Sequence, residues 1–60
     1  MVNQLLKVSE VVEVLNLSKA LVYRMIQDGE LRAVRFRGAI RVRQEDLDAF
    51  IEAHVTVGVE

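Results

Sequence analysis

Arg35, Arg37, Arg41 and Arg43 fall within nine residues, "RFRGAIRVR", with no carboxylate among them. A guanidinium carries a fixed charge and a fork of donors matched to paired oxygens, so four together call for a polyanion rather than a substrate to be turned over. A second set lies upstream. Ala20, Tyr23, Arg24 and Gln27 are spaced i, i+3, i+4, i+7, with Ser18 and Lys19 just before them. On a helix that spacing is one face, made of small or hydrogen-bonding side chains with no acid in the row. The chain has one histidine and no cysteine, so a nucleophile, its base and an orienting group cannot be assembled from the usual residues, and the reading is a non-enzyme. Glu45, Asp46 and Asp48 are read as dipole-complementing acids of a helix first turn rather than a cation site, because no oxygen-ligand loop accompanies them. No metal or other cofactor is expected.

The elements that must position these residues follow from periodicity. Val8, Val11, Val12 and Leu15 mark one buried helical face, predicting a first helix over about residues 9–16 with Ser9 as its N-cap. Asn16-Leu17-Ser18 breaks it. Ser18 caps a second helix with Val22, Met25 and Ile26 as its apolar stripe, and Gly29 provides the left-handed stop. Val34, Phe36, Ile40 and Val42 then share one parity and the four arginines the other, predicting a hairpin with an apolar face and an arginine face. Burying both strands' apolar residues together requires an odd loop, Arg37-Gly38-Ala39, with Phe36 opposite Ile40 and Val34 opposite Val42. A third helix carries Leu47, Phe50, Ile51 and His54 on one face, and His54 is read as packing at the end of that stripe.

Sixty residues amount to one domain with a small core, and the absence of cysteine leaves packing alone to hold it. We divide the chain into a domain over 1–54 and a short, flexible tail over 55–60. No signal peptide or membrane-spanning run is legible, which reads as a soluble cytoplasmic protein. The formal net charge of −1 conceals a segregation. Residues 31–43 hold five arginines and no acid, whereas residues 44–60 hold five acids and no Lys or Arg. A near-neutral total therefore does not exclude a nucleic-acid partner, since the local potential of one face decides binding.

Helix, tight turn, helix, hairpin, helix is an α+β winged helix-turn-helix order: three short helices, with a two-stranded hairpin wing between the second and third. The stretch "LLKVSEVVEVLNLSKALVYRMIQDGELRAVRFRGAIRVRQEDLDAF" resembles the small excisionase-type DNA-binding domain related to the MerR head, over about residues 5–54. The resemblance rests on "KVSEVVEVLNLSKALVYRMIQDGEL" with its Gly-Glu-Leu ending, the arginine-rich hairpin around Gly38, and "RVRQEDLDAFI". It implies a second helix in the major groove, presenting Ser18, Lys19, Ala20, Tyr23, Arg24 and Gln27, and a wing presenting Arg35, Arg37, Gly38 and Arg41. Parity adds Arg43 to the wing face. The implied partner is double-stranded DNA, with a site-specific recombinase as a further one and no membrane. The implied role is a nucleoid-associated excisionase, or recombination directionality factor, of a phage or mobile element. A small MerR-like transcription regulator and a protein-interaction module with a basic hairpin remain as alternatives. The opposed basic and acidic segments further predict a monomer in solution whose copies bind DNA head to tail.

Overall fold

The computed structural model describes residues 4–56. Strand β1 (Leu5–Lys7) passes directly into α1 (Val8–Leu15), and α2 (Lys19–Asp28) follows after a three-residue turn. The hairpin strands β2 (Val34–Phe36) and β3 (Ala39–Arg43) come next, and β3 runs without a loop into α3 (Gln44–Ala53). The result is an α+β winged helix-turn-helix. Its sheet is three-stranded and antiparallel in the order β1-β3-β2, so the expected two-stranded wing gains an N-terminal strand.

The chemistry at the helix ends explains the turn. Asn16 takes the left-handed conformation (φ 57°) after α1, and the Leu17 amide donates back to the Val12 carbonyl at 3.3 Å. That six-to-one bond closes a Schellman-type stop and turns Leu17 toward the core, where it is half-buried. Ser18 then caps α2, its Oγ accepting the Leu21 amide at 3.1 Å. Gly29 ends α2 at φ 85°, and the Glu30 amide donates to the Met25 carbonyl at 2.9 Å. The second stop delivers Leu31 into the core as the first one delivers Leu17. The N-cap of α1 differs from expectation. It is Lys7 rather than Ser9, because β1 extends to Lys7 and Glu10, at the third helical position, accepts the Lys7 amide at 2.8 Å.

The core is Leu6, Val8, Val11, Val22, Met25, Leu31, Val42 and Leu47, with α1 packed on α2, β1 and β3, and α3 packed on β3. Leu6 and Leu31 join the residues whose spacing announced them. Ile51 and His54, expected on α3's packing stripe, are exposed instead. His54 closes the helix, its Nδ1–H donating to the Phe50 carbonyl at 2.8 Å and its ring 4.3 Å from that of Phe50.

The hairpin register overturns the expected odd loop. Phe36 pairs with Ala39, Arg35 with Ile40 and Val34 with Arg41, leaving a two-residue turn, Arg37-Gly38. Both turn residues have positive φ, 48° and 88°, the type I′ geometry whose twist matches the strands it joins. Paired residues share a face, so Arg35 lies on the side of Ile40 and the buried Val42. Val34, Phe36, Arg41 and Arg43 lie on the other. The arginines are thus split between the two faces, and Phe36 is 50% exposed rather than in the core.

Leu31→Ala should cost about 2–5 kcal/mol of unfolding free energy by loss of core packing. Phe36→Ala should cost under about 1 kcal/mol, as for a surface position. Denaturant or thermal unfolding of the two variants measures the difference.

Candidate nucleic-acid interface

Three separate parts of the chain wall a groove of about 440 Å³: Lys7, Val8 and Ser9 at the β1–α1 corner, Lys19 and Tyr23 on α2, and Gly38, Ala39, Ile40 and Arg41 on the hairpin. A neighbouring groove of about 250 Å³ is lined by Tyr23, Ile26, Gln27, Arg35 and Ile40. Tyr23 and Ile40 belong to both, so they form the ridge between them. The register produces this arrangement, since Arg35 shares the core side of the sheet with Ile40 and is thereby turned toward α2.

Of the residues singled out in the sequence, Lys19, Tyr23, Gly38 and Arg41 meet in the first groove, and Tyr23, Gln27 and Arg35 in the second. Ala20 and Arg24 lie on the exposed surface of α2 and line neither. The Arg24 side chain is 78% exposed and only loosely paired with Asp28, at 3.9 Å one turn along the helix. Ser18 accepts the Leu21 amide as the α2 cap, which leaves its hydroxyl proton available to an acceptor. Arg37 occupies the tip in a left-handed conformation that non-glycine residues adopt at a cost. Lys7 did not stand out in the sequence as a site residue, and Ser9 stood out only as a helix cap. Three residues of β1 are too few for an alternation to show, and the strand's partner lies more than 30 positions away.

The cations differ in whether an acid neutralises them. Arg43 is neutralised: its Nε and Nη2 donate to the two carboxylate oxygens of Asp46 at 2.7 and 3.1 Å, and its Nη1 lies 3.2 Å from Glu45. The Arg43 hydrogen bond holds the Asp46 carboxyl below the ordinary carboxylate range, against the opposing effect of burial; the charges of Arg43 and Arg32 add to the lowering. The same hydrogen bond raises the Arg43 guanidinium. This fork pins the corner where β3 becomes α3. Among the described residues Arg41 makes no such pair, its Nη1 donating to the Ile40 carbonyl at 2.9 Å. On α3, Asp48 accepts the Gln44 side-chain amide at 3.0 Å. No group of three or more His, Cys, Asp or Glu among the described residues is arranged to hold a metal ion. Among the described residues no helix is long and apolar enough to cross a membrane.

A family model described as a helix-turn-helix domain matches residues 5–55. The chain belongs to the helix-turn-helix domain family. No curated protein and no solved structure matches it. In this helix-turn-helix domain α1, Asn16-Leu17-Ser18 and α2 are the motif itself, and the hairpin and α3 complete the winged form. Double-stranded DNA is the ligand that the family implies. The family match covers every residue of both grooves.

The Arg43–Asp46 pair gives a pH signature. Because the folded carboxyl is depressed, its contribution to stability is complete above the ordinary carboxylate range and disappears as pH falls through the folded value. Asp46→Asn should therefore be less stable than the parent at neutral pH. The two stabilities should converge as the pH is lowered below that range, as read from urea unfolding at a series of pH values.

Proposed function

We propose that this domain reads double-stranded DNA with α2 in the major groove and the hairpin wing on the adjoining backbone or minor groove. The observation that carries the reading is the pair of joined grooves, in which Lys19, Tyr23 and Gln27 of α2 lie beside Arg35 and Arg41 of the wing. A helix is wide enough to fill the major groove, and its N-terminal residues then meet base edges. Arg24 has the fork for a guanine, Gln27 the donor and acceptor for an adenine, and Ser18, Lys19, Ala20 and Tyr23 complete the face. Arg35, Arg37, Gly38 and Arg41 form the wing's contribution, with phosphates as their targets. Arg43 is left out of that set because Asp46 and Glu45 already compensate it.

Within this reading the domain, taken as residues 1–54, acts as an excisionase, an architectural factor that sets the direction of a site-specific recombinase in a phage or mobile element. It works on the nucleoid, in the cytoplasm. The resemblance of its helix-turn-helix and wing residues to that type supports the role. So does the separation of charge: Asp48 and Glu52 of α3 are exposed, and α3 contributes no residue to either groove. Monomeric molecules on adjacent sites would meet basic wing to acidic α3, and DNA would hold even a weak contact at high effective concentration. A small transcription regulator would use the same face at isolated sites.

Arg24→Ala should cost about 1–3 kcal/mol at the cognate site and relax selectivity at one base pair, with a smaller loss on random duplex. Equal losses on both would remove Arg24 from base reading. Sequencing genomic fragments captured by the protein identifies the cognate site, and an excisionase should enrich attachment sites beside a recombinase gene rather than scattered promoters. On probes with one, two and three direct repeats of that site, gel shifts should show cooperative filling while the free protein sediments as a monomer.

A further inference from the structure

β1 places Lys7 directly opposite Arg41 in the antiparallel register, on the same face of the sheet. Two like charges opposed across a ladder destabilise it unless an anion lies between or beside them. The described residues offer none. Among the described residues neither side chain has a carboxylate within ion-pairing distance, while Arg24 and Arg43 both do. Glu10, the acid nearest in sequence, is committed to the Lys7 amide and so fixes the backbone of Lys7 without taking its ammonium. Lys19 closes the groove from α2, also without an acidic partner among the described residues. Three cationic residues from three elements thus line one groove of about 440 Å³, and the Arg41 guanidinium is steadied by its bond to the Ile40 carbonyl.

Resting on the DNA-binding reading, we propose that Lys7 is a further binding residue, which together with Lys19 and Arg41 clamps the phosphodiester backbone at the β1–α1 corner, so that bound DNA supplies the counter-charge the Lys7–Arg41 pair lacks. The ligand chemistry is a phosphodiester, because a strand with a negative charge at every phosphate can meet cations on both walls of an open groove, whereas a single small anion would leave the farther ones unmet. The like-charge pair is then a cost carried by the free domain and removed on binding. Lys7 accordingly opposes folding and favours DNA, a combination that neither a purely structural lysine nor an idle surface lysine shows.

The test measures affinity for a duplex from 50 to 200 mM salt, together with the thermal midpoint of the free protein. The proteins compared are the parent, Lys7→Gln, Lys7→Arg and Lys19→Gln. Lys7→Gln keeps the amide that Glu10 accepts. It should lower the slope of log affinity against log salt by about 0.9, one phosphate contact, and leave the low-salt thermal midpoint at or above that of the parent. Lys7→Arg should restore the slope, and Lys19→Gln should lower it by a similar amount. A parental slope in folded Lys7→Gln overturns the proposal. If Lys7→Gln does not fold, the opposition of Lys7 to folding is refuted and the proposal falls, and the Lys19→Gln slope then reports whether the groove meets DNA at all. A parent that shows no salt-dependent binding to any duplex refutes the DNA reading itself, an outcome distinct from binding that ignores Lys7.

Discussion

Two consecutive left-handed residues, Arg37 and Gly38, set the arrangement of everything on the wing. A turn of two residues makes the sum of paired numbers odd, and that parity alone sends Arg35 toward α2 and leaves Phe36 facing outward. One more residue in the turn would exchange the two faces of β2. Glycine meets the requirement for positive φ without penalty, whereas arginine meets it at a cost that the rest of the hairpin must sustain. An arginine kept in such a position places a charge at the tip of the hairpin.

The helical half of this design was legible in the sequence because its signals are local. Ser18 as cap, Gly29 as stop and the acids at the start of α3 each act within one turn of where they stand. The wing was not legible in the same way. Val34, Phe36, Ile40 and Val42 alternate as if all four were buried, but the turn decides which pairs form, and an arginine gives little sign that it will adopt a left-handed conformation. Strand β1 was hidden for a different reason. Leu5, Leu6 and Lys7 carry no readable period, and they become a strand only because β3 pairs with them across most of the chain. Of the residues that line the two grooves, Lys19, Tyr23, Gln27, Arg35, Gly38 and Arg41 stood out in the sequence, and the Lys7–Ser9 corner did not.

The two strand-to-helix corners are built alike. In each, the acid at the third helical position binds the residue before the helix: Glu10 takes the Lys7 amide, and Asp46 takes the Arg43 guanidinium. The difference lies in what remains free. Backbone capping leaves the Lys7 charge unpaired among the described residues, at the wall of a groove, whereas the Arg43 charge is consumed in holding the fold. A count of basic residues along the chain treats the two as equivalent, and only the geometry of their partners separates them.

The absence of any residue between β3 and α3 has a mechanical meaning. With Arg43 as the last residue of the strand and Gln44 as the first of the helix, and with the Arg43–Asp46 fork bridging the corner, the wing has no slack on that side. β3 is also the central strand, hydrogen-bonded to both neighbours, so it cannot swing without carrying them. A wing that tilts to follow a groove acts as one arm of a rigid lever whose other arm is α3. Displacement at the tip is thereby passed to the helix packed on β3, and a neighbour resting against α3 would feel the shape of DNA it does not itself touch.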